Sequence, residues 1–166
     1  MSTVRSYAYA LVGLLTLLPA VASAQPAVDR AVRDRLAWSE SRRGTADKLS
    51  TLLVSVALTH PCLLQHPEDG QSRKDCLFQQ GKRVGAAIAF AELSKRLIAR
   101  ARPDGSDDKS FFSEHTAIAC AATATKKTWP ICAAAAYLRV AAHKHWFTDV
   151  LTGAALGTVS FQFTWR

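Results

Sequence analysis

Beyond residue 24, apolar positions recur in blocks of helical length separated by short polar breaks, and no convincing alternation marks a strand. Residues 26 to 44 are charged and punctuated by Gly44, which predicts an N-terminal helix or arm. Asp47 to His60 reads as an apolar helix ended by Pro61, because proline brings no N–H to the helix ladder. Gln65 to Asp75, with Pro67, Gly70 and several charges, reads as a loop. A long helix is expected from about Leu77 to Ala101, closed by Pro103, since the residue before a proline is pushed out of helical geometry. Asp104 to Ser110 is a polar loop with Gly105 and three aspartates. Ser113 then reads as the N-cap of an alanine-rich helix to about Thr125. A turn over Lys126 to Pro130, a helix from Ile131 to about Ala142 and a last helix from Trp146 to Phe163 complete the pattern. Gly153 and Gly157 lie four apart in that last helix, where a neighbour can approach closely. The expectation is an all-α fold, a compact bundle of about five to six helices.

The first 24 residues stand apart. Arg5, an apolar run from Tyr7 to about Leu18, Pro19 and the triplet Ala22-Ser23-Ala24 before Gln25-Pro26 have the layout of a secretory signal peptide. The run is shorter than the ~20 apolar residues a bilayer span needs, although an uncleaved anchor is the alternative. Residues 1–24 are therefore read as a signal peptide and 25–166 as one domain of ordinary size. An exported chain would work in the periplasm or at the outer face of the cytoplasmic membrane. Leu49 to Leu64 and Val150 to Trp165 approach spanning length only marginally, so a soluble or peripherally attached domain is preferred.

Charge narrows the partners. The formal net charge is +8, and the basic residues lie almost entirely in the mature part, which favours phosphorylated molecules or anionic lipid surfaces. Export makes nucleic acid the least favoured of the anionic partners. All four cysteines, Cys62, Cys76, Cys120 and Cys132, are also in the mature part. Proximity suggests pairing Cys62 with Cys76 and Cys120 with Cys132, although three connectivities are possible and free thiols are the alternative. No C-x-x-C pair supports a zinc site.

Three groups of residues could carry chemistry. Lys95 and Arg102, about two turns apart on the expected long helix, would share a face and could clamp an oxyanion, or belong with Arg96 and Arg100 to a solvated basic face. Ser113 and His115 sit at an expected helix start, where unpaired N–H groups favour phosphate; a plain capping serine is equally compatible. His145 and Asp149 are i and i+4, so the carboxylate could accept a hydrogen bond from the imidazole and free its other nitrogen for attack. Arg139 could hold the electrophile's oxygens. A surface His–Asp pair is the bland alternative.

Taken together, Lys95-x6-Arg102-Pro103, Ser113-x-His115 and Arg139-x5-His145-x3-Asp149 resemble the three-part signature of the type 2 phosphatidic acid phosphatase superfamily, K-x6-R-P, P-S-G-H and S-R-x5-H-x3-D. The following "DVLTGAALG" is similar to its bacterial members. The resemblance implies an acid-phosphatase-like helical fold and a metal-independent phosphatase acting on phosphate monoesters or pyrophosphates, lipid-linked or small. His145 would be the nucleophile forming a phosphohistidine, and Asp149 would orient it. His115 would be the acid and then the base, with Lys95, Arg102, Arg139 and Ser113 on the phosphoryl oxygens. No metal or cofactor is implied; peripheral membrane contact is compatible.

Three positions depart from the signature: Phe112 stands for its proline, Glu114 for its glycine and Leu138 for its serine. Leu138 removes a hydroxyl worth on the order of 1 kcal/mol of hydrogen bonding. Glu114 would repel phosphate unless, on the first turn, it points away and favours the helix dipole. The alternative function is therefore a catalytically silent envelope protein that binds phosphate groups. A metal-dependent hydrolase built on His143, His145 and Asp149 is disfavoured, because i and i+2 on a helix diverge by roughly 200°. Vanadium haloperoxidase chemistry would need a specialised pocket that a chain this compact has little room to build.

Overall fold

The computed structural model describes residues 27–64, 72–123 and 128–162; the expected signal peptide at 1–24 lies outside them. Six α-helices follow in order: α1 (Ala27–Leu36), α2 (Glu40–Thr59), α3 (Arg73–Leu97), α4 (Glu114–Thr123), α5 (Trp129–Ala141) and α6 (Phe147–Gln162). A single π turn, His60–Leu64, extends α2. The all-α expectation holds: among the described residues the sole β feature is an isolated bridge between Arg100 and Lys109. None of these helices is long and apolar enough to cross a membrane.

Helix α4 is the hub. Its residues from Thr116 to Thr123 are small and, apart from Ile118, buried, so α2, α3, α5 and α6 all pack around it. A helix apolar on every side is stable only when enclosed in this way. The closest seam is with α6. A Cβ at Gly153 would stand 2.5 Å from the Ser113 carbonyl oxygen, and one at Gly157 would meet the Ala117 carbonyl oxygen and the Cys120 Cβ. The expected close approach at these two glycines is therefore present. Gly157→Ala should destabilise the protein by about 1–3 kcal/mol through overpacking against backbone. Gly81→Ala on α3, where nothing stands within 4 Å of the added carbon, should instead stabilise by about 0.4–1 kcal/mol. Urea unfolding of the two variants checks the opposite signs.

Several boundaries differ from the sequence pattern for identifiable reasons. Gly44 lies inside α2 rather than ending a helix, because the glycine faces open space while Ala46 and Ser50 anchor the same turns in the interior. Pro61 widens the ladder instead of stopping it. The proline cannot donate to the Ala57 carbonyl, and the Gln80 Nε2 from α3 donates there instead (3.3 Å) and to the Leu58 carbonyl (2.9 Å). Helix α3 starts earlier than Leu77, since Ser72 caps it by accepting from the Asp75 N–H.

The other end of α3 matters more. The helix stops at Leu97, with Ile98 in an extended conformation. Arg100 N–H then donates to the Asp108 carbonyl and Ser110 N–H to the Arg100 carbonyl, at 2.6 and 2.9 Å. Lys95 and Arg102 consequently do not share a helical face, as the pattern had predicted; one is on α3 and the other on the loop. Both expected disulfides are formed, Cys62–Cys76 and Cys120–Cys132. The first fastens the end of α2 to the start of α3, and the second fastens α4 to α5. Cross-links closing loops this short are worth ~3 kcal/mol each in the chain-entropy account.

Candidate active site

The loop between α3 and α4, the connection between α5 and α6, and the first turns of α4 and α6 meet on one side of the hub. Arg102 reaches the α5–α6 connection by donating from Nη1 to the Lys144 carbonyl (3.1 Å). Asp104 N–H donates to the His143 carbonyl (3.1 Å), and Lys144 pairs with the Asp104 carboxylate at 2.8 Å. These contacts hold the two connections together and so bring Arg102 toward the residues that follow α5.

His145 and Asp149 do not form the direct pair expected from their spacing. His145 precedes α6 rather than lying on it, and its Nδ1 is 4.0 Å from the Asp149 carboxylate. Nδ1 instead lies 2.6 Å from the Ser110 carbonyl oxygen. A carbonyl can only accept, so Nδ1 carries the proton and neutral His145 presents an unprotonated Nε2. Burial first, then Arg139 and Arg102, keep its protonation well below the ordinary histidine value. The imidazole is therefore a neutral base with a fixed tautomer. That is the state a nucleophilic histidine needs.

Asp149 acts one step further back. Its carboxylate accepts from the Ser110 hydroxyl, the Trp146 N–H (2.9 Å) and the Arg100 guanidinium. The bond from Trp146 is the reach-back half of a capping box at the start of α6. Arg100 also pairs with Asp29 of α1 at 2.6 Å, and Asp29 accepts from the Thr148 N–H at 2.8 Å. All three ionic side chains are buried. Burial pushes the Asp149 carboxyl up to about 6 despite Arg100 and the Ser110 hydroxyl, so it is still ionised at neutral pH. Asp149 thus fixes Ser110, and Ser110 fixes His145.

His115 sits in the first turn of α4, half-buried, with Nε2 3.4 Å from the Thr51 hydroxyl of α2. Burial, followed by the charges of Arg139, Lys95 and Arg102, depresses it to about 4, with Asp47 opposing. Arg139, in the last turn of α5, is buried and bonds Asp47 and Ser50 of α2. Its Nε–H is buried without a partner among the described residues. An orphaned donor of this kind costs ~1–3 kcal/mol until an acceptor arrives. Ser113, fully buried, donates its N–H to the Asp149 carbonyl and accepts from the Thr116 hydroxyl, which gives it a structural duty at the α4–α6 seam. His143 adopts a left-handed conformation, φ 59°, just past the end of α5. The helical divergence expected between His143 and His145 therefore does not apply, because neither is on a helix. Among the described residues no three His, Cys, Asp or Glu side chains stand close enough together to hold a metal ion.

The structure brings His145, His115, Arg139 and Arg102 within electrostatic range of one another, with Lys95 acting on the same His115. Sequence reasoning missed Arg100, Ser110, Asp29, Asp47 and Thr51. Arg100 had been grouped with a solvated basic face; nothing local distinguishes it from Arg96. Comparison with protein-family models, curated proteins and solved structures finds no match.

Proposed function

We propose that this protein is a metal-independent phosphatase of the cell envelope, hydrolysing phosphate monoesters or pyrophosphates, lipid-linked or small, through a phosphohistidine. The observation that carries the reading is the tautomer of His145, held by the Ser110 carbonyl beside Arg139, Arg102 and His115. In the proposed reaction His145 Nε2 attacks phosphorus, and the P–O bond to the leaving group breaks. Protonated His115 gives that oxygen its proton. Neutral His115 then takes a proton from water, whose oxygen attacks the phosphohistidine and releases His145 and phosphate. Arg139, Arg102 and Lys95 would carry the charge on the transferring oxygens. The chain's resemblance to the type 2 phosphatidic acid phosphatase signature supports the same assignment, and the signal-peptide layout expected of residues 1–24 supports its location. Exposed Phe90, Leu93 and Leu97 share one face of α3, which suits peripheral contact with a membrane surface.

The test is phosphate release from an aryl phosphate, a lipid phosphate and a prenyl pyrophosphate in excess chelator, followed by alkaline quench. Release with a base-stable, acid-labile phosphoprotein is the expected result. No release from any of the three, and no phosphoprotein, would remove the proposal. The second reading, a silent phosphate-binding protein, is favoured by one observation: His145 is only 2% exposed. Phosphate binding without a phosphoprotein would select it.

A further inference from the structure

Every cation assigned to the phosphoryl group already holds an internal carboxylate. Arg139 is paired with Asp47, Arg102 with Asp107 at 2.6 Å, and Lys95 with both Glu114 and Glu92. The Lys95 cluster is the most unusual of these. Glu114 occupies the first position of α4, where a carboxylate could simply face solvent and favour the helix dipole. It turns instead across to α3 and bonds the Lys95 ammonium, the two side chains being 28% and 14% exposed. Glu92, on the same helix as Lys95 and half exposed, takes a second bond at 2.8 Å. Two of the three ammonium hydrogens are thereby used, and the local charge around Lys95 becomes −1, one cation against two carboxylates.

Resting on the proposed phosphatase reading, we infer that Glu114 is an intramolecular competitor for the phosphoryl-binding site: its carboxylate holds and neutralises Lys95, and an oxyanion must compete with it for that cation. A carboxylate oxygen and a phosphoryl oxygen make the same charge-assisted hydrogen bond to an ammonium group. The consequence is discrimination by charge. Ligands with one negative charge gain too little from Lys95 to dislodge Glu114, whereas dianionic phosphate or a pyrophosphate can. Glu92 contributes less, because an exposed i,i+3 pair is weak and screened.

The experiment is calorimetric titration of inorganic phosphate into the purified, disulfide-intact protein at pH 7. Wild type, Glu114→Gln, Glu92→Gln and Arg139→Gln are compared. Glu114→Gln should bind phosphate at least tenfold more tightly than wild type, Glu92→Gln should change binding less than threefold, and Arg139→Gln should lose it. A purely structural role for Glu114 predicts weaker binding on its removal, never a gain. Unchanged or weaker binding by Glu114→Gln, with wild type binding and Arg139→Gln not, overturns the inference and leaves the phosphatase reading standing. Equal gains from Glu92→Gln and Glu114→Gln overturn the assignment to Glu114 as well, marking a general charge effect. Absence of binding in wild type and in Glu114→Gln alike overturns the inference together with the reading it rests on.

Discussion

Arg100→Met should lower the unfolding free energy by about 3–5 kcal/mol, the cost of removing one partner from a buried ionic network. Arg100 lies between Asp29 and Asp149, both fully buried, and methionine would leave both carboxylates without their cation. The Ser110 and Trp146 donors to Asp149 and the Thr148 donors to Asp29 would remain. They lessen the loss without supplying positive charge. Asp34→Ala is the control: its carboxylate is 64% exposed in its pair with Arg33, and surface pairs of this kind are worth ~0–1 kcal/mol. Urea denaturation at pH 7 gives both numbers. A loss below about 1 kcal/mol for Arg100→Met would mean that the network is not what joins α1, the α3–α4 loop and α6. The same substitution frees Asp149, then Ser110, then the ring of His145, so turnover should fall in protein that is still folded.

How much of this was legible in the sequence follows the range of the interactions. Helical periodicity is local, and from α3 onward the helices are where it predicted them to within a few residues, whereas the first break falls between Leu36 and Glu40 rather than between Gly44 and Asp47. The cysteine pairs closed over short loops, and proximity found them. Gly153 and Gly157 at i and i+4 announced a close seam, because no side chain intervenes. The end of α3 was not legible. Residues 98–101 read Ile-Ala-Arg-Ala, good helix formers, yet Arg100 is drawn out by Asp108, Ser110, Asp29 and Asp149, and no local rule weighs those contacts. The His145–Asp149 pair misled for a related reason. An i,i+4 spacing predicts contact only on a helix, and His145 falls just before α6 begins. The spacing marked the right residues and the wrong bond; Ser110, 35 positions away in sequence, takes the place the carboxylate was expected to hold. Glu114 was noticed as a departure, but its partner Lys95 belongs to another helix, and only packing shows that they meet.

The pH dependence gives the second large effect. As proposed acid, His115 must be protonated when the leaving group departs, and burial with the charges of Arg139, Lys95 and Arg102 holds it at about 4, Asp47 opposing. The protonated fraction falls as pH rises through that value, so kcat/KM should decline about tenfold per pH unit above it. A bound phosphate dianion offsets the same three cations and raises His115, so the decline in kcat should begin at higher pH than the decline in kcat/KM. Stability runs the other way. His115 and His145 both have folded values below the ordinary 6.5, so their contribution is complete above 6.5 and is lost as pH falls through their folded values. Asp149, raised from 3.8 to about 6, opposes this: its contribution is complete below 3.8 and is lost as pH rises through about 6. With two histidines against one carboxyl, acidification below 6.5 should lower the thermal midpoint while raising turnover per folded molecule. His115→Ala should cut kcat by about 10²–10⁴-fold and abolish the alkaline decline, since the group that titrates is gone. Substrates whose leaving group needs no proton, such as a nitrophenyl phosphate, should recover most of that loss. Rate profiles from pH 4 to 8 for both proteins decide it: an alkaline decline that survives in His115→Ala assigns the titration elsewhere and removes His115 as the acid.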